Sequence, residues 1–292
     1  MSHGRAESEE RIRVLLALAE GGCVAPGAEA DALLKASSDG VGPIEELLAR
    51  RLRGEPLAWI TGSVRFCSVR VRVDPGVFVP RPHTQALARR AVKLLPSVGI
   101  AADLCTGSGA VAAVLRSAHP RATVVATDVD PVAVACARRN GVRALVGDLD
   151  EPLSPSLRER VDVMTAVVPY VPTGELHLLP RDVVANESRR ALDGGPRGTT
   201  VLVQAAEAAA RLLRPGGSVL LEIGGDQAAE VATTLADVGL SEIRMHRDGD
   251  GQDRAIEARR PDVAHAEVKP DQVRWEKMCG SLVIFSSSAT SA

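Results

Sequence analysis

The residues best suited to chemistry sit at the ends of short apolar runs. One such run, Ile100 to Leu104, leads into Asp103-Leu104-Cys105-Thr106-Gly107-Ser108-Gly109-Ala110-Val111-Ala112. Its two glycines permit a tight turn and let a ligand approach the backbone at a helix N-terminus, which makes a nucleotide-type site. A second run ends in Asp128-Val129-Asp130-Pro131, placing a carboxylate where it can accept both hydroxyls of a ribose. A third ends in Gly147-Asp148-Leu149, where a carboxylate can meet an adenine amino group. Any one Asp could be a strand-end cap, but three at successive strand ends favour a cofactor site. Asp103 ahead of the loop would repel a pyrophosphate and suits an ammonium group. S-adenosylmethionine carries that ammonium and NAD does not, so the expected cofactor is S-adenosylmethionine and a nicotinamide-dependent oxidoreductase is disfavoured.

The elements that must hold these residues follow from periodicity. From Gly99 to Arg259 strands and helices alternate, with strands near 100–104, 123–128, 143–146, 161–167, 218–223, 242–246 and 254–259. That pattern predicts a doubly wound α/β sheet whose last two strands form an antiparallel hairpin at one edge. Between Glu7 and Ile60 apolar residues recur every three or four positions, predicting three or four short helices broken at Gly21-Gly22 and Gly40. From Phe66 to Val79 the pattern changes to alternation, predicting a β-hairpin ended by Pro80 and Pro82. The expected organisation is a helical N-terminal domain over 1–62, to which the family resemblance given below assigns the substrate, a hairpin linker over 63–82, a cofactor-binding domain over 83–260 and a C-terminal extension over 261–292.

Composition narrows the function classes. The chain has 292 residues, 45% of them hydrophobic, enough to bury a sizeable core. A net charge of −2 argues against tracking a nucleic-acid backbone by bulk electrostatics. The arginines at 50, 51, 53, 65, 70 and 72 read as a solvated face. Five scattered cysteines without C-x-x-C spacing suggest neither a disulfide framework nor a zinc site, and no metal is expected. With no apolar run of membrane-spanning length and a polar start, a cytoplasmic protein off the membrane is expected. Only six residues are aromatic, so Ala, Val and Leu must fill the interior.

Gly76-Val77-Phe78-Val79-Pro80-Arg81-Pro82-His83-Thr84-Gln85, followed by the Asp103 loop, resembles the HemK-type protein-glutamine methyltransferases. Leu57-Ala58-Trp59-Ile60-Thr61-Gly62 looks like that family's linker entry, Ala191-Leu192-Asp193-Gly194-Gly195 like its glycine turn, and Glu222-Ile223-Gly224 with Gln227 like its fifth strand. The resemblance spans roughly 7–259. It implies a class I methyltransferase, a Rossmann-like seven-stranded sheet with a small helical N-terminal domain and a linking β-hairpin. S-adenosylmethionine would lie at Asp103, Thr106, Gly107, Gly109, Asp128, Val129, Asp148 and Leu149.

Two departures from the family pattern bear on the acceptor. Where the family carries Asn-Pro-Pro-Tyr, this chain has Val167-Val168-Pro169-Tyr170, and valine cannot accept the hydrogen bond that the family's Asn takes from the substrate amide. The family's Pro-Glu-Thr-Glu becomes Pro82-His83-Thr84-Gln85, which removes two acids and adds an imidazole able to take a proton near neutral pH. The expected catalytic residues are therefore His83 as base and Tyr170, and the expected acceptor contacts are Trp59, Thr84, Val167, Val168, Pro169 and Tyr170. The alternative for His83 is a packed or surface residue at a helix start. The leading expectation is methylation of a small, secondary-metabolite type acceptor, such as an indole or other electron-rich aromatic carbon, a phenol or an amine. The alternative keeps the family's task on the glutamine amide of a peptide chain release factor, and a binding module without turnover is a third reading. The apolar run Leu282-Val283-Ile284-Phe285 leaves a homo-oligomer, or a cover over the site, open.

Overall fold

The computed structural model describes residues 3–262 and the backbone of two further strands at 273–278 and 281–286. Four helices come first: α1 (His3–Glu20), α2 (Pro26–Ser38), α3 (Ile44–Leu52) and the single turn α4 (Leu57–Ile60). Their facing apolar positions, among them Val14, Leu18, Leu33, Leu47 and Ile60, form a cluster separate from the sheet core. Two of the arginines expected on a solvated face are instead paired. Arg51 Nε stands 2.6 Å from Glu29 Oε2 in a part-buried ion pair, and Arg50 pairs with Glu55.

The hairpin is shorter and earlier than the alternation predicts. Strands β1 (Ser63–Phe66) and β2 (Val69–Arg72) pair antiparallel around a turn in which Cys67 takes φ +52°. Residues 73–82 continue without a ladder, and Pro75, Pro80 and Pro82 within them have no backbone N–H to donate. The Trp59 indole anchors this run by donating to the Val77 carbonyl at 2.9 Å.

The main sheet is doubly wound. β3 (Ile100–Leu104), β4 (Thr123–Asp128), β5 (Arg143–Val146), β6 (Val161–Ala166) and β7 (Leu213–Glu222) run parallel, and β8 (Ser241–Arg247) and β9 (Asp253–Arg259) add an antiparallel hairpin. These seven strands form the class I methyltransferase sheet, in the order β8-β9-β7-β6-β3-β4-β5. Beyond β8 the sheet continues through β11 (Ser281–Ser286) to β10 (Val273–Met278). Leu282 and Val283 of the apolar run thus pair with β8 of their own chain, toward the end of the sheet opposite β5. The rest of the expected extension beyond Asp262 lies outside the described residues.

Helices α5 (Thr84–Leu94) and α6 (Ala110–Ala118) pack with one apolar cluster of the sheet. α9 (Thr200–Leu212) and α10 (Ala228–Asp237) pack with the other. Small side chains set the spacing: Ala205, Ala206, Ala208 and Ala209 of α9 are fully buried, so that helix lies close to the sheet without any aromatic filler. The chain goes from β3 outward to β4 and β5, then returns to β6 on the other side of β3, creating a switch point at the carboxyl ends of β3, β4 and β6. No helix among the described residues is long and apolar enough to cross a membrane.

Candidate functional site

A cleft of about 920 Å³ opens at that switch point. Its walls include Asp103, Thr106, Gly107, Asp128, Val129 and Asp148 on one side and Val167, Val168, Pro169 and Tyr170 on the other, with Thr84 between. Those residues, widely separated in sequence, are brought together. His83, Trp59, Gly109 and Leu149 are not on its wall.

The glycine loop is fixed from behind. Gly107 takes φ +54° and Gly109 φ +79°, and a Cβ at Gly109 would come within 3.0 Å of Ala137 and Val142. Gly109 therefore serves the packing of α6 against α7 (Pro131–Arg139), while Gly107 faces open space in the cleft. Leu149 is buried behind Asp148 in the sheet core. Asn140, which sequence reasoning missed, ties the hairpin to this loop: its Nδ2 donates to the carbonyls of Arg72 and Ser108, both at 2.8 Å, and its Oδ1 accepts from Arg72 N–H. Only its position after a helix end, where a short amide can reach backbone, could have signalled that role.

The carboxylates are held by donors. Asp103, almost fully buried, accepts from Thr106 Oγ1 and Thr165 Oγ1, each at 2.6 Å. Burial pushes its carboxyl up to about 6 despite those two bonds. Asp128 accepts from the backbone N–H of Gly107 at 2.8 Å and of Asp130 at 2.9 Å, and burial also raises it. Asp130 caps α7 by accepting from Val132 N–H. Cys105 lines the cleft with φ +53°, and burial holds its thiol neutral.

The acceptor side is arranged differently. His83 sits at the N-terminus of α5, and its Nε2 lies 3.2 Å from Oε1 of Glu222, a buried carboxylate at the end of β7. The imidazole thus faces the Glu222 carboxylate, and His83 is not among the residues that line the cleft. Trp59 is likewise a packing residue, buried with Val73, Val77 and Ala133. Tyr170 keeps its place on the wall. Gln227 donates to its carbonyl from Nε2 at 2.6 Å and accepts from Gly224 N–H at 3.0 Å, locking 167–170 to the end of β7. Arg81 stacks over Phe78 at 4.6 Å and pairs with buried Glu187 at 2.6 Å.

The comparisons with known proteins follow this geometry. Residues 68–147 match the model of the methyltransferase small domain. A release factor glutamine methyltransferase from Moorella thermoacetica is 37% identical over 249 residues, covering 76% of this chain and 87% of its own. One from Geobacter sulfurreducens is 35% identical, covering 73% and 76%. The chain belongs to the release factor glutamine methyltransferase family. A solved protein-(glutamine-N5) methyltransferase (release factor-specific) from Alicyclobacillus acidocaldarius is 25% identical over 65% of this chain and 99% of its own, with a TM-score of 0.40. This family member is an S-adenosylmethionine-dependent methyltransferase. The cleft suits that cofactor. Thr84 Oγ1 and Ser108 Oγ, both on its wall, are buried without a hydrogen-bond partner, and two raised carboxyls await a cationic, hydroxyl-bearing ligand. The relatives are named for modifying a translation factor, and none of them supports the expectation of secondary metabolism.

Proposed function

We propose that this methyltransferase acts on the side-chain amide nitrogen of a glutamine in a peptide chain release factor. The observation that carries this reading is the reach of the family match. Relatives named for that reaction cover 73–76% of the chain, more residues than 83–260 contains, so the likeness extends past the cofactor sheet. In this reading residues 1–62 form a substrate-side domain, joined by 63–82 to the methyltransferase domain.

When bound, S-adenosylmethionine supplies an electrophilic sulfonium methyl group. Asp128 would accept from the ribose hydroxyls, and Asp148 with Val129 would meet the adenine. Thr84 would donate to the methionine carboxylate, and Asp103 with Thr106 and Gly107 would support the ammonium end. Gly109 and Leu149 act from behind the wall by shaping the loop.

An amide nitrogen is a poor nucleophile because its lone pair is delocalised, so most of the rate enhancement must come from alignment in line with the methyl group. The Val168 carbonyl and Tyr170 orient the amide, while Val167, Leu179 and Val183 give this end of the cleft an apolar lining. The donor would supply only the methyl carbon, keeping the carbon–sulfur electron pair on sulfur. The nitrogen's own proton passes to water.

A second reading, a small electron-rich acceptor, is favoured by one observation: the Val167 side chain has no hydrogen-bonding atom to hold an amide. Labelled methyl transfer separates the two. The proposed function requires label on one glutamine of a purified release factor, lost when that glutamine is replaced. Transfer to small molecules alone, with an inert release factor, would support the second reading.

A further inference from the structure

Glu222 is a buried ionisable group for which the reading above has no task. Its side chain is 1% exposed at the end of β7, beside the acceptor half of the cleft. A carboxylate that deep ordinarily has a donor for each oxygen, because an unpaired buried charge is costly. Here His83 Nε2 stands 3.2 Å from Oε1, and Oε2 has no hydrogen-bond partner. Tyr170 lies alongside. Its ring packs on Gly224, two residues beyond Glu222, where an added Cβ would meet ring carbons at 2.9 Å. Burial first, and then the Glu222 carboxylate, hold the phenol above its ordinary range, while Arg254 and Arg81 pull the other way.

We propose that Glu222 is a positioning residue that takes the Tyr170 hydroxyl hydrogen on Oε2 while His83 holds Oε1. Tyr170 then turns only oxygen lone pairs toward the cleft and accepts a hydrogen bond from the substrate N–H. A hydroxyl has one hydrogen and two lone pairs, so committing the hydrogen to a carboxylate leaves it an acceptor. That is the function Val167 lacks. The bond to Oε2 is not formed in the structure, and the broad terminal torsion of a Glu side chain lets it form. His83 acts through Glu222, fixing the carboxylate from the solvent side, where the imidazole is 26% exposed. This inference rests on the amide reading for its substrate, but the coupling of Tyr170 to Glu222 can be tested without substrate.

Tyr170 is the only tyrosine in the chain, so ultraviolet difference absorbance follows its ionisation alone. In Glu222→Gln the phenol should ionise more readily, its acid dissociation constant rising about tenfold. Read by pH-jump absorbance before the chain unfolds, an unchanged ionisation of the native phenol overturns the proposal whatever the substrate is. In methyl transfer to a release factor, Tyr170→Phe and Glu222→Gln should each lower kcat about tenfold to a hundredfold, with KM for S-adenosylmethionine within about twofold. Adding Val167→Asn to Tyr170→Phe should recover about tenfold of that loss, since an acceptor is restored. Full activity of Tyr170→Phe, or no recovery in the double variant, overturns the proposal, and the double variant carries the test if Glu222→Gln does not fold. A wild-type enzyme inert on release factor would overturn the proposed substrate, and the tyrosine titration would still decide the coupling.

Discussion

At the ends of β3 and β4 the carboxylates of Asp103 and Asp128 each accept two hydrogen bonds from nearby donors, whereas at the end of β7 the buried Glu222 keeps one oxygen unpartnered. In the first region both carboxylates are already held by donors of the protein itself. The second combines an apolar wall at 167–168 with a tyrosine, a histidine and a carboxylate whose hydrogen bonding is incomplete. The two halves of one cleft thus answer to different demands. A cofactor of fixed shape requires fixed donors, while the acceptor half can be rebuilt around a different set of contacts without touching the cofactor.

The largest effect tests that division directly. Asp128→Ala removes a carboxylate from two ribose hydroxyls, and charge-assisted bonds of about 1.5–3 kcal/mol each predict a loss of S-adenosylmethionine affinity of about a hundredfold or more by calorimetric titration. Tyr170→Phe should leave that affinity within about threefold. If both variants weaken the cofactor alike, the halves are not separable.

The next effect concerns stability. Asp103 titrates near 6 in the folded protein against an ordinary value of 3.8, so the native state holds its proton more tightly than the unfolded chain. Stability should therefore fall as pH rises from about 4 to about 6 and then level off, by about 3 kcal/mol in all. Urea unfolding of wild type and Asp103→Asn across that range isolates the contribution. The variant should lack the Asp103 share of the fall, because an amide does not titrate, while Asp128 and Glu187, also raised by burial, still contribute; an identical slope in both proteins would remove Asp103 as a cause.

Much of the cofactor half was legible in the sequence because its signals are local. Strand, glycine turn and terminal Asp lie within a few residues of one another, and the strands predicted at 100–104, 123–128 and 143–146 fall where the structure has β3, β4 and β5. The acceptor half was not legible in the same way. The partner of His83 is Glu222, 139 residues away, and no periodicity connects them. Asn140 was overlooked for the same reason, since its amide matters only because the hairpin folds back over α7. The C-terminal run at 282–285 read as an apolar strand without a neighbour, and its place beside β8 depends on sheet order. Trp59, a rare aromatic in a motif, invited a functional role, but its indole serves a backbone carbonyl.

Trp59 offers a smaller test of the boundary between the site and its support. Trp59→Phe leaves the buried Val77 carbonyl without its donor, so unfolding free energy should drop by about 1–2 kcal/mol. KM for the acceptor should stay unchanged. A raised KM with unaltered stability would return Trp59 to the substrate site.

The smallest effect is the most pointed. In the wild-type background Val167→Asn adds a neutral hydrogen-bond acceptor to a wall where Tyr170 already supplies one. The gain in kcat on a release factor should then be only about threefold, the worth of a single neutral hydrogen bond at the low end of its range. Side-chain volume is nearly conserved and the position is partly exposed, so the fold should tolerate the change. A rise of a hundredfold would mean that the native wall leaves the amide unheld, and that Tyr170 and Glu222 do not replace the missing Asn. A fall would mean that the apolar wall is itself the recognition element, which favours an acceptor with no amide to hold. The size of this one change distinguishes an acceptor half that has been rewired from one that has lost its partner.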